Sequence, residues 1–448
     1  MLLEFSVSNF MSFKDKTTLS MIPSIQSNAK TIEVKGVKVL KFAAIYGANA
    51  SGKSNLIKAF TIMERIIYSG LSKRNKDLYC RIHNENKTKP TEFSTTFYAG
   101  GKFYNYSFEV ILYEGKVLSE TLSEINPKTN NAKKIYSYKK GELEASKVFF
   151  LKNIDSFTTN RIMTYLFDNS KIENKLFITE LINKDWDNNT KLKFIEDFED
   201  WFNSIDINFA DRPIDNMKYL DKEDERNRVG KILNELNTGV SEISFVEISK
   251  EQFVEETNKS FVEDTLKELS ERYEEEQKKE KKGRIVYTIR GDAYYRLSIS
   301  EKEGLIIKTI RLNHQNCENM FDFGDESDGT KRLFDLLDIV FTSNKNSVYV
   351  IDEIERSLHP VLTFKLIQIL NEELDVKNIQ LIFTTHETHI MDSKLFRRDE
   401  IWFMEKDHQG HSKLFSLDIF KTRNEKNIKD GYINGLYGGI PLFKKIED

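Results

Sequence analysis

A chain of 448 residues, 39% hydrophobic and 31% charged, is long enough for two or three domains and has the composition of a well-solvated globular protein. A formal net charge of −4 gives no global reason to bind nucleic acid, so DNA could be held only through a local basic face. Two cysteines exclude a disulfide framework and no apolar run reaches a membrane span. With Glu4 early and no cationic leader, a cytoplasmic protein without a membrane partner is expected.

In chain order, residues 2–7 alternate apolar and polar side chains, and residues 31–46 are strand-rich, ending in an apolar run. Next comes Gly47-Ala48-Asn49-Ala50-Ser51-Gly52-Lys53-Ser54, which completes the pattern G-x-x-x-x-G-K-[ST]; from Asn55 apolar residues recur at helical spacing. Strand, glycine-bounded loop and helix are the context of a phosphate-binding loop for a nucleoside triphosphate. Backbone N–H groups of the loop and the helix N-terminus would face the phosphates. Lys53 would reach the β/γ-phosphates, and the Ser54 hydroxyl would ligate Mg²⁺.

Residues 91–98, 102–110 and 116–122 alternate and are separated by Gly100-Gly101 and Glu114-Gly115, which predicts a β-meander within a first α/β lobe, residues 1–154. Residues 155–283 change in composition: 191–204 is amphipathic, 221–237 is dense in charge, and 251–282 reads as one long helix ending in mixed charge. This predicts a helical insertion, a candidate for partner binding or oligomerisation, whose charge run reads as a solvated face. Residues 284–448 return to strands at 285–290, 294–300 and 304–312. Helices at 333–341 and 361–374 then alternate with apolar strands at 347–351 and 380–385, as in a parallel sheet covered by helices.

The strand 347–351 runs into Asp352 and Glu353. Asp352, at the strand's C-terminal edge, suits a Mg²⁺ shell; Glu353, pointing another way, suits the polarisation of an attacking water.

The run from Glu353 through Ser357, His359 and Pro360 resembles the D-loop of ABC-type ATPases, and residues 381–386, ending in His386, resemble their switch-histidine motif. Glu326-Ser327-Asp328-Gly329-Thr330 resembles the signature motif, and Asn9-Phe10-Met11-Ser12-Phe13 the opening of SMC, RecF and overcoming-lysogenisation-defect ATPases. The tail, residues 423–441, resembles that of bacterial AAA/ABC-hybrid ATPases of anti-phage abortive-infection systems, such as the ATPase subunits of the PARIS and AbiL/Rlo types.

That resemblance implies an ABC-type ATPase head: a mixed sheet with an antiparallel β layer and a parallel P-loop core, carrying a helical insertion. It implies ATP and Mg²⁺ as cofactors and slow hydrolysis of ATP to ADP and phosphate. ATP would contact Gly47, Asn49, Ala50, Ser51, Gly52, Lys53, Ser54 and Asn55; Ser54 and Asp352 would hold the metal; Glu353 and His386 would be catalytic. Ser327, Gly329 and Thr330 would reach the γ-phosphate of another subunit, with Ser357 and His359 in the D-loop, so a homodimer or higher homo-oligomer is implied. Relatives act as a sensor or scaffold beside a separate effector nuclease, toprim-type or similar, which implies such a partner from the same operon and a phage-encoded trigger protein. The alternative from the same resemblance is a RecF/SMC-like DNA-binding repair ATPase.

Two departures stand out. Met11 occupies the place where relatives carry Arg, and no Q-loop glutamine is evident; residues 80–84 are the matching segment. Cys80-x-x-His83 and His314-x-x-Cys317 together have zinc spacing, although buried cysteines and loop histidines explain them equally well. The basic pairs Lys133-Lys134 and Lys139-Lys140 read as solvated surface.

Overall fold

The segment Phe42–Tyr46 is apolar throughout, and every side chain in it is buried, as a central parallel strand covered on both faces requires. In the computed structural model, which describes residues 1–24, 31–129, 131–140, 147–152, 154–184, 186, 192–209, 217–278, 285–290, 293–341, 346–420 and 428–440, this strand lies inside a sheet. Among these residues the sheet has six strands, in the order Ile205–Asn208, Val348–Ile351, Gln380–Thr385, Phe42–Tyr46, Ile401–Lys406 and Ser412–Ser416. The first five run parallel, and the last turns back antiparallel. Parallel strands end on one edge, so Gly47, Asp352 and His386, which directly follow three of them, emerge together.

The meander extends beyond its three expected strands. Seven described strands form an antiparallel sheet, in the order Lys147–Val148, Asn131–Lys139, Lys116–Asn126, Lys102–Ile111, Thr91–Ala99, Leu2–Ser8 and Thr17–Ser20. The helix Lys53–Ser69 packs against this layer: Leu56, Ile57, Phe60, Met63, Ile66 and Ile67 share a core with Phe5, Phe93 and Tyr106, and Phe5 stacks on Phe60 with ring centroids 3.7 Å apart. Each fully buried Leu, Ile or Phe contributes about 1.5–3 kcal/mol, so this face anchors the helix whose N-terminus carries Lys53 and Ser54. Glu120, fully buried in the same layer, is satisfied by the hydroxyls of Tyr106 and Tyr136 and by the amides of Phe177 and Ile178.

The chain divides into two compact units: residues 1–210, 344–355 and 367–448, and residues 211–343 and 356–366. The first holds both sheets above and a small hairpin, Thr31–Val34 with Val37–Leu40. In the second, Val240–Ile248, Gly304–His314, Tyr294–Ser300 and Ile285–Arg290 pair in that order, with Met320–Asp322 beside Gly304–His314. Its helices Lys250–Glu256 and Lys259–Lys278 contribute Phe253, Val262 and Leu269 to a core with Tyr295, Leu297 and Ile307.

Three expectations are corrected or qualified here. The single helix over 251–282 is two helices, broken at Thr257, whose hydroxyl turns back to the Phe253 carbonyl oxygen at 2.5 Å while the Asn258 side chain accepts from the Phe261 amide and starts a new helix. The stretch 155–283 is divided between the two units and contains strands: Ile205–Asn208 joins the parallel sheet and Val240–Ile248 the second unit's sheet. Residues 279–283 of the charged run, and 423–427 and 441 of the tail, lie outside the described residues. Among the described residues no helix is long and apolar enough to cross a membrane.

Candidate functional site

Both glycines of the loop pattern stand where a side chain could not. A Cβ on Gly47 would lie 2.4 Å from the Met404 carbonyl oxygen; one on Gly52, whose φ is +115°, would lie 2.2 Å from Ser412 Oγ and 2.9 Å from Ser12 Oγ. The loop is therefore pressed against the neighbouring strand and a pair of serines. Ser412 Oγ is 2.8 Å from Ser12 Oγ and 2.5 Å from the Ser51 carbonyl oxygen, and Asn55 Nδ2 donates to Ser12 Oγ at 2.7 Å. The opening run thus gains a structural meaning: Ser12 props the phosphate loop, while Asn9 holds the segment after the helix through Asn86 O, Lys89 O and the Cys80 amide. Met11, in place of the relatives' Arg, packs on the apolar core and donates its amide to Leu78 O.

Lys53 is only 5% exposed. Its Nζ donates to Gly47 O at 2.8 Å and Ala48 O at 3.2 Å and lies 2.9 Å from His386 Nε2. Burial lowers its pKa to about 8, against the opposing pull of Glu355, Asp352 and Glu353. The His386 imidazole is held below its usual value by partial burial and then by the Lys53 charge, which favours a neutral ring accepting from the lysine. Asn49, in the loop, and Ser54, in the first turn of the helix, are exposed.

At the end of Val348–Ile351 the buried Asp352 accepts from Thr384 Oγ1 at 2.5 Å, and the same hydroxyl accepts from the Glu353 amide at 2.8 Å. Glu353 has φ +47°, a left-handed turn that sends successive carboxylates in different directions. Glu355, which falls within the D-loop-like run, belongs to the same cluster. Its Oε1 accepts from the His386 amide at 2.5 Å, its Oε2 is buried with no hydrogen-bond partner among the described residues, and burial raises its pKa. Thr384, Glu355, Ser12 and Ser412 have no role assigned from the sequence; the first three lie within runs that resemble family motifs, whereas Ser412 left no signal.

In the second unit, Ser327 accepts from the Thr330 amide at 3.1 Å, and its Oγ is 3.0 Å from Thr330 Oγ1, capping the helix Asp328–Phe341. A Cβ on Gly329 would lie 2.7 Å from the Ser357 carbonyl oxygen, so the signature-like turn and the D-loop-like turn touch through a glycine. Ser357 has φ +63°, and His359 caps the helix Pro360–Lys377 through its carbonyl to the Thr363 amide and its Nδ1 to the Val361 amide.

The cysteine–histidine pairs have other neighbours. The His83 ring lies 5.2 Å from that of His411, and His314 Nε2 is 2.6 Å from Glu326 Oε1. Both cysteines are free thiols, Cys80 buried and Cys317 exposed. Among the described residues no group of three or more His, Cys, Asp or Glu could hold a metal.

Above the loop opens a cleft of about 1110 Å³, lined by Gly47, Ala48, Asn49, Ala50, Ser51, His386, Thr388, Met404, Glu405, Lys406, Tyr432, Ile433, Gly439 and Ile440. The loop backbone and His386 line it, the buried Lys53 is bonded to Gly47, Ala48 and His386 behind that lining, and Asp352, Glu353 and Glu355 act on the lysine from nearby, an arrangement suited to a polyphosphate and a divalent cation.

No curated protein matches the sequence. Among solved structures, the chain is similar to the SMC head bound to the C-winged helix domain of ScpA (15% identity, TM-score 0.42, 93% of this chain and 97% of that one). It is similar too to the SMC head domain from Thermotoga maritima (13%, TM-score 0.37, 93% and 98%). A third is the Smc head domain with an extended coiled coil bound to the C-terminal domain of ScpA derived from Pyrococcus furiosus (16%, TM-score 0.34, 93% and 96%). At such identities and TM-scores these likenesses fix neither ligand nor partner. Residues 42–392, more than half of the chain and spanning the phosphate loop, the carboxylates and His386, match the family described as "AAA domain, putative AbiEii toxin, Type IV TA system", and the chain belongs to that family.

Proposed function

We propose that this chain is an ATP-binding and ATP-hydrolysing ABC-type ATPase that works as a sensor or scaffold switch in anti-phage defence, controlling a separate nuclease effector. The observation that carries the ATPase reading is the meeting of Lys53, His386 and the carboxylates of Asp352, Glu353 and Glu355 beside one phosphate loop. When ATP enters, Lys53 exchanges the Gly47 and Ala48 carbonyls for β/γ-phosphate oxygens and releases His386, whose ring then turns to the γ-phosphate. The Glu353 carboxylate takes a proton from the attacking water, and Thr384, bonded to both the Asp352 carboxylate and the Glu353 amide, holds the two acids in register. A hydroxyl and a carboxylate are the hard oxygen donors that Mg²⁺ prefers, so Ser54 and Asp352 would hold that ion, which neutralises phosphate charge when bound.

Completion of the site by a second copy is part of the proposal. The exposed Ser327, at the start of a capped helix, offers a hydroxyl and amides to the γ-phosphate of a facing subunit. Ser327→Arg is therefore expected to bind ATP with wild-type affinity yet lose ATP-dependent pairing and at least ~10-fold in turnover, read by mass measurement and phosphate release. Normal pairing and turnover in that variant would remove the composite site.

The defence assignment is supported by the sequence resemblance and by the family's description as an AbiEii-type toxin group. Purification from the native operon, with mass measured with and without ATP, should recover a nuclease whose association depends on nucleotide. DNA-stimulated turnover with steep salt dependence, and no co-purifying nuclease, would instead establish a DNA-repair ATPase.

A further inference from the structure

We infer that the C-terminal segment 428–440 forms the nucleoside side of the triphosphate cleft, so that the base and ribose of ATP lie against Ile433 and the Tyr432–Gly439 turn while the phosphates lie on the loop. This rests on the ATP reading above and adds to it the part of the site that would tell a nucleotide from a bare polyphosphate.

Loop and tail line one and the same cleft of about 1110 Å³, larger than the ~300–1,000 Å³ usual for small-molecule pockets and roomy enough for more than three phosphates. The tail wall is built into the first unit rather than laid over it. Glu405 Oε2 accepts from the Gly439 amide at 3.2 Å, and Tyr432 donates its hydroxyl to Gly439 O at 3.0 Å. The Tyr432 ring stacks on Phe403 with centroids 5.3 Å apart and lies 6.0 Å from that of Tyr46, the residue just before the loop. Gly438 and Gly439 take φ of +71° and +70°, and a Cβ on Gly438 would lie 2.4 Å from Glu405 Oε2, so the turn closes on this carboxylate only as glycine. A wall keyed to the strands on either side of the loop has a fixed position relative to the phosphates.

Its surface chemistry is that of a base subsite. Ile433 lines the cleft yet is 53% exposed, an apolar face left to water; Glu405 and Lys406 bring polar groups to the same cleft. A purine ring has apolar faces and a polar edge and would cover the isoleucine. Backbone amides of a phosphate loop read phosphate oxygens only, so any preference for a nucleoside must come from another wall.

The test compares two competitors of a fluorescent N-methylanthraniloyl-ATP probe: ATP and inorganic tripolyphosphate. Ile433→Ser, at a position exposed enough to spare the fold, should weaken ATP by ~3–10-fold and leave tripolyphosphate unchanged. Leu436→Ser, 65% exposed and outside the cleft lining, should change neither. Photolabelling of the wild-type protein with 8-azido-ATP should mark the peptide containing Tyr432 and Ile433. Unchanged ATP affinity in Ile433→Ser, an equal loss for both competitors, or photolabel confined to other peptides would overturn the inference while the phosphate site stands. Failure of the wild type to bind either competitor would overturn the ATP reading, and this inference with it.

Discussion

Lys53→Ala should lower nucleotide affinity by at least ~100-fold while leaving the protein folded. A hydrogen bond from a charged donor contributes about 1.5–3 kcal/mol, and the ammonium has several phosphate oxygens to serve. The fold is expected to survive because this lysine is a cost in the free protein: burial has brought its pKa down to about 8. Two carbonyls and one imidazole lose a donor in the variant, and all three border the cleft, where water can replace it. The same shift gives a pH signature. Below about 8 the free lysine is charged and binds phosphate directly; above it the free lysine is neutral, and binding must take up a proton because the phosphates raise the pKa in the complex. Wild-type affinity should thus fall by up to ~10-fold per pH unit above about 8, and Lys53→Ala should lack this limb. Calorimetric titration in buffers of differing ionisation heat reads both; a flat wild-type profile would mean that Lys53 does not meet the phosphates.

Glu353→Gln should bind ATP within ~3-fold of wild type and lose about 10²–10⁴ in turnover, the span associated with a positioned general base. The amide keeps the size of the side chain and leaves the φ +47° turn and the Thr384 bond to the main-chain amide in place, so binding geometry is preserved. What disappears is the capacity to accept a proton from water. The variant should accumulate as an ATP-bound pair, visible by mass with ATP and absent without it. Unchanged turnover would take Glu353 out of this role and leave it to Glu355, whose buried Oε2 has no hydrogen-bond partner among the described residues and whose Oε1 accepts from the His386 amide.

Elements with a local signature were legible in advance. The parallel core could be read because Phe42–Tyr46 and Val348–Ile351 are continuous apolar runs and Gln380–Thr385 has an apolar centre, Leu381 to Phe383, and the meander because its turns carry glycine. The strand Ile205–Asn208 was missed because four residues with acid and amide between isoleucines carry no recognisable period. Helix length failed at Thr257, where side-chain hydrogen bonds compete with the backbone ladder.

By itself the amino-acid sequence marked the candidate groups: the glycine-bounded loop with Lys53 and Ser54, the Asp352-Glu353 pair, and His386 directly after a strand. Each is a contiguous pattern whose meaning depends only on neighbours a few residues away. Tertiary structure alone decided what surrounds them. It brought Lys53 Nζ to His386 across 333 positions, Ser412 to Ser12 across 400, Glu355 to the His386 amide, and the tail at Tyr432 to the cleft above the loop. Contacts of that span arise from strand order and helix packing, which no short window of sequence encodes.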